Sequence, residues 1–229
     1  MRSRAAIVRD AVSDIAPLLI GVAPFGVIAG VAAVDAGLAP LQAYSLSPII
    51  FAGAAQLATV GLLARDAAVA VVILTPLVIN ARHIMYSAAL APWFRPLPSA
   101  RKAGLAYLMT DQAFAMSILR YGRKDEPIGD RVVYYLGVAL SLWLTWQVTT
   151  IVGIAVGGGI PPEWSLDFAV PLVFLALVFP AITDRPTAVA AIVGAAVAVG
   201  AAELPFNLGL PVGALSGIAA GYLVEGAAQ

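Results

Sequence analysis

The sequence predicts an all-α fold: a polytopic helical membrane protein with about eight transmembrane helices, some of them kinked by proline or broken. Three observations predict it. Hydrophobic residues make up 61% of the 229 residues and charged residues only 11%, against roughly 25% charged in an average soluble domain. Apolar runs reach the length of about 20 residues that a helix needs to cross a bilayer. Single polar side chains interrupt these runs, and in lipid such groups usually line a functional cavity.

Composition also limits the function classes. The 13 basic and 13 acidic residues cancel, so the chain lacks the basic surface of a nucleic-acid-binding protein. The absence of cysteine excludes disulfides, thiolate metal sites and cysteine nucleophiles. His83 is the single histidine, so a zinc site would need mostly carboxylates. We therefore predict no cofactor and no metal site, and we interpret 1–229 as one integral membrane domain.

The first predicted span, 15–34, follows a polar lead, 1–14, whose arginines predict a cytoplasmic N-terminus. Its apolar part is longer than the signal-peptide core of about 7 to 15 residues, so we interpret it as a membrane helix. Pro24 lies inside it. Because proline removes a backbone hydrogen bond and clashes with the preceding turn, a kink or local unwinding is expected there.

The second and third predicted spans, 41–64 and 67–91, contain most of the candidate binding residues. Small residues around Gly53 precede Gln56 and allow another helix to approach closely. Gln56 is either an interhelical hydrogen-bond partner or a substrate or ion ligand at an opened backbone. The third span is polar about two thirds of the way along, so its helix either ends there or breaks beside a wet cavity. Its candidates are Asn80, Arg82, His83 and Tyr86.

For His83 the structural alternative to a cavity-facing role is a hydrogen bond to a backbone carbonyl. The fourth predicted span, 103–119, carries Asp111 and Gln112 near its midpoint. A carboxylate flanked by apolar and small residues must be protonated, hydrated, or paired with Arg82 or His83. We predict that Asp111 carries a proton or binds an amine, with a structural ion pair between helices as the alternative.

The remaining predicted spans are 132–156, 168–183, 187–202 and 208–224. Asp184 lies in the tight connection between the sixth and the seventh, and it joins Gly53 and Tyr86 as a secondary site candidate. Spans two and three, like spans six and seven, form hairpins marked by proline. Such pairs hint at the duplicated halves that are common among secondary transporters.

Loop charges orient the chain. With a cytoplasmic N-terminus and eight spans, most arginines fall inside, in accord with the positive-inside rule. The loop 92–102 is the exception, because it carries Arg95, Arg101 and Lys102 and would lie outside. A re-entrant second or third segment, or a third segment broken at Asn80, would account for the exception and leaves seven spans as the alternative.

Four sequence blocks together resemble one family. They are APFG at 23–26, FAGAAQ at 51–56, NARHIMY at 80–86 with LAP at 90–92, and TDQAFA at 110–115. In this order they resemble the AzlC family, the large permease subunit of bacterial branched-chain amino acid exporters. The last third resembles it in hydropathy and in Asp184 more than in motif. The resemblance implies transport of leucine, isoleucine, valine or a similar small apolar amino acid across the inner membrane, with a small AzlD-type membrane subunit as partner.

Joined with the residue chemistry, the resemblance gives a hypothesis for the site. Asp111 would hold the substrate ammonium or a coupled proton, Arg82 or Gln56 with free backbone N–H groups would hold the carboxylate, and His83 would relay a proton. No ATP-binding motif occurs, so we expect a secondary transporter that uses the proton gradient. The alternatives are a passive channel or a non-catalytic membrane subunit. A membrane-embedded enzyme is not expected, because the sequence lacks a nucleophile elbow and an HExxH pair.

Overall fold

The computed structural model describes residues 3–157, 182, 184–202 and 209–227. Every regular element in these residues is helical, which confirms the predicted all-α fold. The sixth predicted span, 168–183, lies almost entirely outside the described residues. The helices are α1 (Arg4–Asp35), α2 (Pro40–Ile50), α3 (Gly53–Leu63), α4 (Val69–Ile79), α5 (Arg82–Leu90), α6 (Ser99–Tyr107), α7 (Asp111–Arg123), α8 (Ile128–Gly157), α9 (Arg185–Gly200) and α10 (Gly209–Ala227), and a 3₁₀ helix, Ala91–Phe94, continues α5.

The chain forms two compact units, Met1–Leu166 and Asp167–Gln229. In the described residues, three helical segments are long and apolar enough to cross a membrane: Arg4–Asp35, Val69–Phe94 and Ile128–Gly157. All three lie in the first unit, and they correspond to the first, third and fifth predicted spans. The polar lead is helical from Arg4 onward, and α1 continues through Pro24, so the proline does not unwind the helix.

α1 and α8 are the scaffold of the first unit and run parallel to each other. Gly137 lies against Ala11 in the first half of both helices, and Gly157 lies against Val31 toward their ends. Between these points Gly30 touches the α8 backbone directly. Because glycine has no side chain, the two helices approach more closely than larger residues would allow, which is how membrane helices pack where lipid supplies no hydrophobic drive.

Residues after α5 return to the end of the unit where α8 begins. The Phe94 ring lies 5.9 Å from the Tyr121 ring and 5.6 Å from the Tyr135 ring, at edge-on angles. The loop 92–102 therefore lies at the same end as the segment between α7 and α8, and we call this the basic end. The prediction that this loop lies opposite the segment between α7 and α8 is wrong, because α6 and α7 do not cross the unit.

α6 and α7 instead form a re-entrant hairpin that enters from the basic end and returns to it. Tyr107, the last residue of α6, reaches the middle of α8, where Trp143 Nε1 donates to its hydroxyl at 3.2 Å. α7 then runs back, and the Tyr121 hydroxyl donates to the carbonyl of Arg131 near the start of α8 at 2.8 Å. The fourth predicted span, 103–119, is thus not one continuous helix.

Thr110 explains the break between α6 and α7. Its backbone is extended, with φ −135° and ψ 167°, and its Oγ1 accepts a hydrogen bond from the Ala113 N–H at 3.2 Å. A threonine that caps a helix in this way fixes where the helix starts. Asp111 consequently lies in the first turn of α7 rather than at the middle of a helix. At that position the positive end of the helix dipole favours a carboxylate.

α2 and α3 form a second re-entrant hairpin, which enters from the opposite end of the unit. Ala43 on α2 and Val60 on α3 both cluster with Ala33, near the end of α1. Gly53, at the start of α3, lies instead against the middle of α8. Phe51 makes the turn between the helices in the left-handed region, with φ 37° and ψ 49°. The re-entrant alternative for the segment 41–64 is the arrangement observed.

α4 and α5 cross the unit as one segment with a tightened turn at Asn80. The His83 N–H donates to the Asn80 carbonyl at 2.9 Å, and the Ile84 N–H donates to the Ala81 carbonyl at 3.0 Å. These bonds span three residues rather than four, so a short 3₁₀ turn separates the two helices. Such turns within a helix often mark functional hinges. Of the alternatives for the third span, a break at Asn80 is the observed one.

A buried arginine joins α7 to the start of α8 at the basic end. The Arg120 side chain is 5% exposed and forms a two-point contact with Glu126, Nε to Oε2 at 3.0 Å and Nη2 to Oε1 at 2.8 Å. Its Nη1 lies 3.5 Å from Asp10 Oδ2, and its guanidinium lies 4.1 Å from the centre of the Tyr134 ring. Burial lowers the pKa of Arg120, but the hydrogen bond and charge of Glu126 outweigh it, so the pKa lies above its ordinary value.

Replacing this arginine is expected to destabilise the protein strongly. Arg120→Ala leaves the Glu126 carboxylate without its guanidinium, so we expect a loss of about 3 kcal/mol in the free energy of unfolding. Arg120→Lys keeps the charge but not the two-point contact and is expected to lose less. Arg123→Ala, an exposed residue of the same helix, is the control. Equal denaturation midpoints for Arg120→Ala and Arg123→Ala in detergent would contradict the assignment.

The second unit contains the hairpin of α9 and α10. Glycines on α10 recur at every fourth residue and meet the backbone or small side chains of α9; they are Gly209, Gly213, Gly217 and Gly221. Asp184 caps α9, because its Oδ1 accepts a hydrogen bond from the Thr187 N–H at 2.8 Å. The backbone and side-chain hydrogen bonds from Thr187 lower the pKa of the Asp184 carboxyl. Asp184, a secondary site candidate, is therefore the structural cap of α9.

Candidate functional site

Three interruptions of helices meet in the middle of the first unit. At the tip of one hairpin the Phe51 ring lies 6.2 Å from the ring of Tyr107, at the tip of the other. The Tyr107 hydroxyl also donates to the Pro48 carbonyl at 2.8 Å, so the two hairpins touch through backbone as well. The third interruption lies at Asn80. Arg82, two residues later, contacts Asp111 at the start of α7. Helix ends inside a membrane are tolerated where they line a cavity or are covered by protein.

An ion pair connects the Asn80 turn with the start of α7. Arg82 Nη1 lies 3.0 Å from Asp111 Oδ2, and the two side chains are 35% and 40% exposed. Of the partners predicted for Asp111, arginine is therefore the one that contacts it. Because both groups are partly open, each charge keeps a side that a bound molecule can reach.

Aromatic residues lie beside this ion pair. Tyr86 lies one turn after Arg82 on α5, and its ring stacks on Phe114 of α7, with centres 4.4 Å apart and planes at 13°. The His83 ring is half-buried and lies 5.9 Å from the Tyr86 ring. His83 thus shares one site with Arg82, Tyr86 and Asp111. An ion pair bordered by a stacked apolar surface can bind a molecule that carries both charges and an apolar group.

Gln56 lies on the other hairpin and is fully buried. Its Oε1 accepts a hydrogen bond from Trp146 Nε1 at 3.1 Å, whereas its Nε2 has no hydrogen-bond partner within the described residues. Gly53 is required one turn earlier, because a Cβ there would lie 2.6 Å from the Phe25 ring and 3.0 Å from the Trp146 ring. The predicted interhelical hydrogen bond of Gln56 is therefore present, and one further donor remains unused.

The predicted candidates fall into groups. Arg82, His83, Tyr86 and Asp111 meet at one site, with Asn80 in the adjoining turn and Gln112 half-buried in the first turn of α7. Gln56 and Gly53 belong to the other hairpin, and Asp184 belongs to the second unit. Sequence reasoning missed Tyr107 and Phe114. Tyr107 precedes the TDQAFA block by three positions, so its closeness to that block was the available signal.

The site offers no set of metal ligands of the usual charged kind. Within the described residues no group of three or more histidine, cysteine, aspartate or glutamate side chains is placed to hold a metal ion. The expectation of no metal site stays a prediction for the chain as a whole.

Comparison with known proteins shows the family. The AzlC protein family matches residues 17–160, a segment that contains both re-entrant hairpins and every site residue except Asp184. The chain belongs to the AzlC family. The resemblance drawn from the four sequence blocks is thereby confirmed.

Relatives of this AzlC protein are membrane proteins. Inner membrane protein YgaZ of Escherichia coli is 27% identical over 218 residues, which cover 92% of this chain and 86% of YgaZ. An uncharacterized membrane protein of Archaeoglobus fulgidus is 29% identical over 98% of this chain and 96% of its own length. Another from Helicobacter pylori is 26% identical over 74% of this chain and 73% of its own. No solved structure matches the chain. AzlC is a membrane transport family rather than an enzyme family, and the chain is a membrane protein with a transporter-type role.

Proposed function

We propose that this chain is the large subunit of a secondary transporter that exports branched-chain or similar small apolar amino acids across a bacterial inner membrane, driven by the proton gradient. The observation that carries the proposal is the meeting of two re-entrant hairpin tips beside the ion pair of Arg82 and Asp111. Secondary transporters commonly bind their substrates near the middle of the membrane, where broken helices end.

The charges at the site suit a zwitterion. Asp111 offers a carboxylate for the substrate ammonium, and Arg82 offers a guanidinium for its carboxylate. These two groups neutralise each other, and an amino acid would replace each contact by an equivalent one. The unused Nε2 of Gln56 and the backbone N–H groups at the start of α3 are further donors for a carboxylate.

Side-chain selectivity would come from the aromatic surface. The stacked rings of Tyr86 and Phe114 lie beside the charges, and Ser87 Oγ donates to Met109 Sδ at 3.8 Å on the same flank. An apolar branched side chain packs favourably against such a surface, at about 25 cal/mol for each Å² that it buries. A charged side chain would lose its hydration there without gaining a partner.

We assign the proton coupling to His83 and the orientation to the loop charges. His83 lies beside the ion pair, and histidine is the side chain that exchanges a proton near neutral pH. The basic end would face the cytoplasm by the positive-inside rule, and the N-terminus with it.

α4 has an exposed apolar face that lipid or a small AzlD-type subunit would cover. Its exposed residues include Val69, Ile73, Leu77 and Val78.

A passive channel is the second candidate, and one observation favours it. Two short hairpins that enter from opposite ends and touch at their tips also divide a pore into two vestibules, with helix dipoles directed at the constriction. A channel lets its substrate equilibrate, whereas a proton-coupled carrier accumulates it. Energy coupling therefore separates the two candidates.

The test is transport in proteoliposomes that contain this chain, with and without the small subunit. Labelled valine or leucine is supplied outside, and a proton gradient is imposed. We expect accumulation above the outside concentration that collapses when a protonophore is added. Accumulation only with the small subunit would support the two-subunit exporter, while equilibration without accumulation would support the channel. If labelled valine or leucine neither accumulates nor equilibrates, with the protein shown to be inserted and folded, the substrate assignment is overturned.

A further inference from the structure

Two buried polar side chains of α8, Gln147 and Thr150, lie on the side of this helix that faces the hairpin of α2 and α3. Trp143, Gln147, Thr150 and Ile154 lie along one side of α8, because residues three and four apart share a helix face. At one end of this row Trp143 contacts Tyr107, whose hydroxyl in turn contacts the Pro48 carbonyl of α2. At the other end Ile154 packs on the cluster that includes Ala43 of α2. The row therefore lies against α2 over its length.

Ser47 occupies the matching position on α2. Ala43 and Ser47 are the buried residues of this helix, which is described throughout, and they lie one turn apart on one face. Ala43 lies at the Ile154 end and Pro48, the residue after Ser47, at the Trp143 end. Ser47 therefore lies beside the part of the row next to Trp143, where Gln147 is the first polar residue, and Thr150 follows one turn of α8 further on.

None of the three polar side chains has a hydrogen-bond partner among the described residues. Ser47 and Thr150 are 0% exposed and Gln147 is 4% exposed, and the atoms without a partner are Ser47 Oγ, Gln147 Nε2, Gln147 Oε1 and Thr150 Oγ1. Leaving a buried polar group unpaired costs about 1–3 kcal/mol for each group. Three such side chains on two neighbouring helices indicate a ligand rather than three separate defects.

The adjoining backbone favours a cation. α2 ends at Ile50, one turn after Ser47, so its carbonyls and the negative end of its dipole lie next to this cluster. Pro48 has no N–H, so the Tyr44 carbonyl, four residues earlier, lacks its usual helical donor. Hydroxyl, amide and carbonyl oxygens around the end of a broken helix are the ligands that bind Na⁺ in membrane carriers.

The ligands also limit the charge of the ion. None of the three side chains carries a charge, whereas divalent cations in proteins are held largely by carboxylates. We propose that Ser47, Gln147 and Thr150, with the end of α2, form a binding site for a dehydrated monovalent cation, Na⁺. The site lies one turn from the hairpin tip and does not include the Arg82–Asp111 pair. It therefore stands independently of the amino acid substrate and of proton coupling.

Binding of ²²Na⁺ and thermal unfolding of the full-length protein in detergent test this site. NaCl is compared with choline chloride and KCl at equal ionic strength. We expect saturable binding of one Na⁺ and a Tm that rises by about 5 °C when Na⁺ is 100 times its Kd. Ser47→Ala and Thr150→Val should each weaken Na⁺ binding at least about tenfold, whereas Thr150→Ser, which keeps the hydroxyl, should restore most of it.

Thr59→Val is the matched control. Thr59 is equally buried, at 3% exposed, but its hydroxyl already donates to the Ala55 carbonyl at 2.8 Å, so its loss should leave Na⁺ binding unchanged. Absence of saturable ²²Na⁺ binding, with identical Tm values in all three salts, would show a water cluster only and overturn the proposal. An equal loss of Na⁺ binding in Thr59→Val and in Thr150→Val would overturn the proposal as well. Neither measurement requires transport, so the result is separate from that for amino acid export.

Discussion

Asp111→Asn is expected to abolish proton-coupled transport while the protein remains folded and inserted. The substitution removes the negative charge that contacts Arg82 at the meeting point of the helix breaks. A hydrogen bond to a charged group contributes about 1.5–3 kcal/mol, so substrate affinity should fall by about 10- to 150-fold. An amide cannot exchange the proton, so accumulation driven by the gradient should be lost altogether.

Stability should change little in this variant. The two side chains of the ion pair are 35% and 40% exposed, and ion pairs that open to solvent contribute roughly 1 kcal/mol or less. Uptake by Asp111→Asn proteoliposomes, measured beside its thermal unfolding in detergent, separates the two effects. Asp125→Asn is the control, since Asp125 pairs with Arg131 at the surface and is fully exposed. It should transport like the unaltered protein.

A double variant distinguishes a binding role from a structural one. If the ion pair only held α5 to α7, removing both charges with Arg82→Gln and Asp111→Asn would restore the function that the single change loses. If Asp111 binds the ammonium or carries the proton, the double variant stays inactive. Asp111→Glu should retain part of the activity, because it keeps the charge but moves it by about one methylene. Full proton-coupled accumulation by Asp111→Asn would refute a functional carboxylate.

Apolar run length predicted three crossing segments correctly, at α1, at α4 with α5, and at α8. It could not distinguish a crossing helix from a hairpin, since about 20 apolar residues fit either one long helix or two short ones that fold back. The segments 41–64 and 103–119 belong to the second kind. What separates the two kinds is a local break, and a break carries a weak sequence signal.

The sequence predicts one of the two helix breaks better than the other. Thr110 is a good helix cap, so the sequence contains a signal for the start of α7. The apolar residues on both sides of Asp111 instead predicted one helix with Asp111 near its midpoint. Phe51 adopts a left-handed backbone that few residues other than glycine favour, and no sequence rule anticipates it there. Tertiary contacts compensate for its strain, because Phe51 is buried and packs against Tyr107.

The site was predicted in part for a similar reason. Polar residues within apolar runs identified Arg82, His83 and Asp111, and the pairing of Arg82 with Asp111 was among the alternatives. The role of Tyr107 was not visible, because a tyrosine in an apolar run is ordinary. Its contacts with Phe51, Pro48 and Trp143 arise only when two hairpins from opposite ends meet.

The contact between α1 and α8 should be the least tolerant part of the first unit. A Cβ added at Gly30 would clash with the Thr150 carbonyl and lie 2.7 Å from the Ile154 nitrogen. Both are backbone atoms of α8, so neither can rotate away and the helices must separate. We expect Gly30→Ala to lower the free energy of unfolding by about 1–3 kcal/mol, and Gly30→Leu to prevent stable folding.

Two other glycines provide the comparison. A Cβ at Gly26 would clash chiefly with the Thr149 side chain, which can change rotamer, so Gly26→Ala should cost less than Gly30→Ala. Gly61 has no atom within 4 Å of the added Cβ, and Gly61→Ala should be neutral or stabilising by roughly 0.5–1 kcal/mol because alanine favours the helix. Thermal unfolding of the three variants in one detergent should therefore rank them Gly30→Ala, Gly26→Ala and Gly61→Ala, from least to most stable. A Gly30→Ala protein as stable as Gly61→Ala would mean that α1 and α8 are not in backbone contact, and the parallel scaffold on which both hairpins rest would have to be abandoned.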